Sequence, residues 1–181
     1  MASTSTETVT PAGEPAARLS DLEARLAGRS ALEQLRTALA EFGEGLRIAS
    51  SFGAEDMVVL DLAARAGREL GVVPRVFLLD TGRLHQETYD LVERARECYG
   101  LPFEVYAPDT VAVEALVRKS GPNGFFLSID DRKECCAVRK LGPLARALTG
   151  ASAWVTGLRR AQSQARAEVR EVEWDPNHGG L

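Results

Sequence analysis

The sequence of 181 residues predicts an α/β fold with a doubly wound, mainly parallel sheet. Three observations lead to it. Four short apolar runs alternate with stretches of helical period almost throughout the chain. No internal repeat or domain-scale linker interrupts that alternation. Three polar, glycine-bearing motifs each follow an apolar run directly, and ligands in such folds sit beyond the C-terminal ends of the strands.

In chain order, residues 1–18 are rich in Ala, Thr, Ser and Pro and read as a disordered tail, followed by one domain over 19–181. Residues 19–42 carry apolar positions at Leu22, Leu26, Leu32, Leu35 and Leu39, the spacing of one or two helices, and Ser20 with Glu23 fits a capping box. The run Leu46-Arg47-Ile48-Ala49 suits a buried strand, and residues 57–66 form a helix closed by Gly67. A second strand is expected over 73–79, a helix over 86–99 with Gly100 as its stop, and a third strand over 103–106. A helix over 111–119, a loop over 121–124 and mainly helical structure over 131–148, with Pro143 opening a second segment, come next. A fourth strand over 153–156 leads into a basic stretch over 158–170.

Composition bounds the function. Hydrophobic residues make up 45% and charged residues 27%, an ordinary globular balance that supports a real core. A net charge of −4 argues against general nucleic-acid binding, although local basic clusters can still hold a small anion. No apolar run reaches the roughly 18 residues of a membrane span. The first residues have neither the basic start and apolar centre of a secretory signal nor the Arg content of a transit peptide, which points to a cytoplasmic protein.

Of the three cysteines, Cys98 lies on a helical pattern and reads as a small buried hydrophobe. Cys135 and Cys136 are adjacent, and adjacent cysteines rarely bond each other because the ring strains the peptide. In a reducing compartment such a pair reads as a metal ligand pair, a redox site or a chance neighbour.

Three strand-end motifs carry the functional signal. Ser50-Ser51-Phe52-Gly53, between a strand and a helix, offers hydroxyls, a glycine and helix N-terminal N–H groups, the ingredients of an anion site. The same residues also make an ordinary capped junction, and without Gly-Lys-Ser/Thr this is not a Walker loop. Asp80-Thr81-Gly82-Arg83 follows the second strand, either as a plain turn or with Arg83 facing a ligand beside the first loop. His85, alone, reads as a surface or supporting group. Arg159, Arg160 and Arg166 follow the fourth strand, and guanidinium forks suit phosphate or sulfate oxygens, where a solvated helix face is the plainer reading.

Five ordered segments, SSFGAEDMVVLDL, VFLLDTGRLHQETY, KECCAVRKLGPLARAL, WVTGLRRAQSQAR and VEWDPNHGG, together resemble the phosphoadenylyl-sulfate and adenylyl-sulfate reductases of assimilatory sulfate reduction. The resemblance runs from about residue 46 to about residue 175 and implies the fold of the pyrophosphate-loop nucleotide α-hydrolases. It implies that Ser50, Ser51, Gly53 and Asp56 hold an adenosine phosphosulfate, that Asp80, Thr81, Gly82 and Arg83 line the nucleotide side, and that Arg159, Arg160 and Arg166 surround the phosphosulfate. Members that carry a 4Fe–4S cluster have a double cysteine with a distant Cys-x-x-Cys, so Cys135 and Cys136 imply the cluster-bearing, adenylyl-sulfate type. Lys133 then matches a family lysine set between cluster and substrate.

The resemblance also implies the chemistry. A C-terminal cysteine thiolate attacks the substrate sulfur and releases AMP, and thioredoxin or a glutaredoxin-type thiol frees sulfite from the S-sulfocysteine. No cysteine follows Cys136 here, so both the nucleophile and the second pair are missing, and a truncated chain, fragment or split gene is the simplest explanation. The chain is expected to bind adenylyl sulfate or 3′-phosphoadenylyl sulfate without reducing it alone, and to form a homo-oligomer at most. Two alternatives stand beside this. One is an ATP-dependent adenylating enzyme, whose loops typically read Ser-Gly-Gly-x-Asp-Ser; the other is a non-catalytic nucleotide-binding module.

Overall fold

The computed structural model describes residues 13–167, 169–175 and 178, with side chains from Ala16 onward and Ala165 excepted. Helices α1 (Gly13–Leu26) and α2 (Ala31–Phe42) precede strand β1 (Leu46–Ala49). Then α3 (Ala54–Leu70), β2 (Val76–Leu79), α4 (Gln86–Tyr99), β3 (Phe103–Tyr106) and α5 (Thr110–Ser120) alternate as the sequence predicts. Helix α6 (Ile129–Cys136), a π-helical turn (Ala137–Leu141) and α7 (Gly142–Ala147) lead to β4 (Ala153–Val155).

All three strand pairings are parallel, in the order β3-β2-β1-β4, with Ile48 opposite both Val76 and Val155. The predicted doubly wound α/β architecture is therefore what the chain forms. One face of the sheet packs Ile48, Val76 and Leu78 on Leu35, Leu60, Ala63, Val92 and Ala95 of α2, α3 and α4. Leu46 and Ala153 extend that face onto Leu22, Leu26 and Leu39. The opposite face, with Phe77, Leu79, Tyr106 and Trp154, is covered by Leu144, Ala147 and Leu148. Leu60 and Val76 are fully shielded, and each such side chain contributes roughly 1.5–3 kcal/mol by leaving water.

Several boundaries move, each for a local reason. Helix α1 starts at Gly13, inside the stretch read as tail, and residues 1–12 lie outside the described residues. Ser20 is consequently mid-helix, and the capping box is at Ser30, whose N–H donates to Glu33 Oε2 at 2.9 Å while its Oγ accepts from Glu33 N at 3.4 Å. Helix α3 runs through Gly67 and stops at Gly71, which takes the left-handed conformation. Gly67 serves packing: a Cβ there would lie 2.6 Å from Val72 O and 2.8 Å from the Pro74 ring. Strand β2 begins only after Pro74, which has no N–H to give the ladder. Cys98 is exposed, because the buried stripe of α4 runs through Val92 and Ala95 and leaves Cys98 on the outer side.

Candidate functional site

Strand order decides which loops meet. From β1 the chain steps to β2 and β3 on one side, and β4 returns to pair on the other side of β1. The crevice beyond the C-terminal ends of β1 and β4 is thus the point where the winding reverses, the usual ligand position in an open α/β sheet. The loop after β1, the turn after β2 and the loop after β4 share this edge.

The first loop is locked internally. Ser50 is buried and continues the ladder through its N–H to Phe77 O at 2.9 Å. Its Oγ accepts from Phe52 N at 3.1 Å. Phe52 has φ of 60°, a left-handed conformation that costs an aromatic residue energy and has to be held from outside. The holding contact is its ring, buried edge-on against Phe103 at 5.4 Å between centroids. Ser51 donates both its N–H (2.7 Å) and its Oγ–H (2.6 Å) to Asp56 Oδ2. Gly53 caps α3 without a side-chain bond, so the helix N-terminus opens directly onto the strand ends, where its partial positive charge favours an anion.

The turn after β2 is clamped twice. Asp80 Oδ1 accepts from Gly82 N at 2.8 Å and from the Tyr89 hydroxyl at 2.9 Å, and that bond pushes the Tyr89 phenol pKa above its ordinary value. Arg83 donates to Pro122 O (2.7 Å) and Asn123 Oδ1 (2.8 Å) and lies 4.7 Å from the centre of the Phe125 ring. It is thus committed to the loop before α6. From the other side Arg139, only 9% exposed, donates to Thr81 O at 2.7 Å. Tyr89 and Arg139 were not singled out by the sequence motifs. The signal for Arg139 would have been a basic residue on a stretch otherwise expected to pack as helix.

After β4 the basic stretch forms two short 3₁₀ turns (Arg160–Gln162 and Gln164–Arg166), so it is not a solvated helix face. Arg159 Nε donates to Glu55 Oε1 at 2.7 Å, which holds the Glu55 carboxyl below the usual carboxylate range. Arg160 donates to Val169 O at 2.8 Å, and Arg166 to Gln162 Oε1. Arg159 remains 59% exposed and stands at the rim of the crevice.

Cys135 and Cys136, both half-buried, end α6 on the connection between β3 and β4. Lys133 Nζ, with its side chain 76% exposed, is 4.0 Å from Asp130 on the same helix. The cysteine helix is linked to the Asp80–Arg83 turn by Arg139 behind it and by the Arg83 contacts ahead of it. Among the described residues no group of three or more His, Cys, Asp or Glu side chains could hold a metal ion. Of the segment VEWDPNHGG, Asp175 accepts from Trp154 Nε1 at 3.2 Å, while residues 176, 177, 179 and 180 lie outside the described residues.

Known proteins resemble this chain in sequence and in fold. The chain is 43% identical over 151 residues to the adenosine 5′-phosphosulfate reductase of Burkholderia cepacia, covering 82% of this chain and 59% of that protein. It is 46% identical over 136 residues to the enzyme of the same name from Allochromatium vinosum, covering 75% and 52%. With 5′-adenylylsulfate reductase 3, chloroplastic, of Arabidopsis thaliana, identity is 44% over 162 residues, covering 89% of this chain and 34% of that one. The chain therefore spans between about a third and three-fifths of the length of these relatives. The crystal structure of phosphoadenylyl-sulfate reductase from Candida auris in its phosphate complex superposes with a TM-score of 0.72 at 24% identity, covering 98% of this chain and 78% of that one, which shows a shared fold. Residues 45–180 match the phosphoadenosine phosphosulfate reductase domain, and this chain belongs to that family.

Proposed function

We propose that this chain is the substrate-binding part of an adenylyl-sulfate reductase. The observation that carries the reading is that three family segments share one edge of the sheet, two of them meeting at the reversal point between β1 and β4. The phosphosulfate sits at the N-terminus of α3 against the Ser50–Gly53 loop, with Arg159, Arg160 and Arg166 on the β4 side and Asp80, Thr81, Gly82 and Arg83 bounding the nucleoside. A helix N-terminus and guanidinium groups both stabilise an anion there.

In the reaction proposed, a thiolate attacks the sulfur of the bound sulfate group as the sulfur–oxygen bond to the nucleotide breaks. AMP departs, or adenosine 3′,5′-bisphosphate from the phosphorylated donor. A thioredoxin- or glutaredoxin-type dithiol then reduces the S-sulfocysteine, regenerating the thiol, releasing sulfite and becoming a disulfide. We assign this attack to none of Cys98, Cys135 and Cys136. Cys135 and Cys136 would provide two of the four thiolates that a 4Fe–4S cluster requires. The described residues do not complete such a site, and no step is assigned to a cluster. Residues of this chain bind and orient the donor. No described helix is long and apolar enough to cross a membrane.

Titration calorimetry of the 181-residue chain with adenylyl sulfate, 3′-phosphoadenylyl sulfate and ATP in parallel tests the reading. Tightest binding of adenylyl sulfate supports it. Preference for ATP, with AMP released on turnover, would replace it with the adenylating reading.

A further inference from the structure

Two observations at the crevice remain unused by that reading. Asp56 reaches back to Ser51 rather than out toward a ligand, its Oδ2 accepting the Ser51 N–H and Oγ–H at 2.7 and 2.6 Å. On the other side of the same residue, Gly157 of the β4 loop approaches so closely that a Cβ there would lie 3.0 Å from Asp56 N and 3.2 Å from Asp56 Cα, and closer still to Oδ1. The nearest obstacles include backbone atoms of the first turn of α3, which no side-chain rotation can move.

We propose that Gly157 is a positioning residue: its bare α-carbon lets the β4 loop close on the start of α3 and so sets the Asp56–Ser51 lock that shapes the anion loop. The physical sequence is short. The crevice lies between two strands joined by a long excursion, so nothing in the local chain fixes one loop against the other. Any side chain at 157 would push the first turn of α3 away from β4. Asp56 moves with that turn, its carboxylate leaves Ser51, and the donors of Ser51 turn from an internal partner to solvent. The Arg159–Glu55 ion pair, two residues after Gly157 on one element and one residue before Asp56 on the other, spans the same junction and holds it from the rim. Asp56 thereby acts on ligand through the loop and not by touching the ligand, which suits a carboxylate placed beside an anion site.

The inference rests on the proposed function for its ligand, but its test separates the two. Amide hydrogen exchange of the ligand-free 181-residue chain is read for residues 51–56 and, as reference, for the strands at 46–49 and 76–79. Gly157→Ala should accelerate exchange at 51–56 by about tenfold or more while the strands keep wild-type protection. Asp56→Asn, which adds no volume, should open the same residues, and Gly157→Ala placed on Asp56→Asn should add little, because the lock is already lost. Affinity for adenylyl sulfate should fall by about tenfold or more in each single variant, since small misplacements of a binding group are costly. Unchanged exchange at 51–56 in either single variant, additive effects in the double variant, or acceleration spread equally over the strands would overturn the role of Gly157. A wild-type chain that shows the exchange pattern yet fails to bind adenylyl sulfate would overturn the proposed function and leave the lock standing.

Discussion

At the scale of single residues, the site is built from side chains already partnered within the protein. Arg139 is the clearest case, a nearly buried cation whose guanidinium fixes the carbonyl of Thr81. Replacing it with Met should cost about 1.5–3 kcal/mol in urea unfolding, the range for hydrogen bonds to charged groups, with Lys intermediate; a loss within experimental error would refute the clamp. The three tyrosines give a pH signature. Tyr89 is raised by its bond to Asp80, Tyr106 by its bond to Glu104, and Tyr99 by burial. In each the fold favours the neutral phenol. The stability linked to them is complete below the ordinary value of about 10 and is lost as pH rises through the folded values. Ultraviolet titration should show phenolate appearing above pH ~10 in the folded chain and near 10 in urea, and coincident curves would count against all three environments.

At the scale of elements, the same four-residue pattern occurs twice with different meanings. Ser20 to Glu23 and Ser30 to Glu33 both spell a capping box, but only Ser30 stands at a helix start. What separates them is the apolar stripe: Leu19 and Leu22 belong to a helix already under way, whereas Ser30 follows the break after α1. Ser30→Ala should lower stability by about 1 kcal/mol and Ser20→Ala should leave it unchanged or slightly higher, as measured by thermal or urea unfolding. Equal effects would mean that the boundary of α1 is elsewhere. The Glu33 carboxyl is lowered chiefly by its bond from the Ser30 hydroxyl, so the box is intact above the ordinary glutamate range and weakens as pH falls through the lowered value.

At the scale of the whole molecule, the order β3-β2-β1-β4 creates the crevice and predicts its footprint. Adenylyl sulfate should slow amide exchange at 50–56, 80–83 and 156–159 together and leave α1 unaffected. Protection confined to one of the three loops would separate them into unrelated turns.

The sequence by itself determined much of this. Apolar period and length marked all four strands and the helices between them, because burial on one face or both writes itself into composition. The helix over 86–99 and the strand over 103–106 stand where the pattern puts them, bounded by Gly100. Even Arg47, a charge inside an otherwise apolar run, did not disturb β1, since its guanidinium returns to the carbonyl of Glu44 at 2.5 Å. The sequence could also name the three strand-end motifs and a family. Other features depended on contacts between residues far apart in the chain. Gly67 as a packing glycine, the outward-facing Cys98 and the Arg139 clamp all follow from which element lies against which. Above all, strand order is not written in any local window: only tertiary pairing sets β4 beside β1, and so brings Gly157 against Asp56 and makes two separate motifs into one crevice.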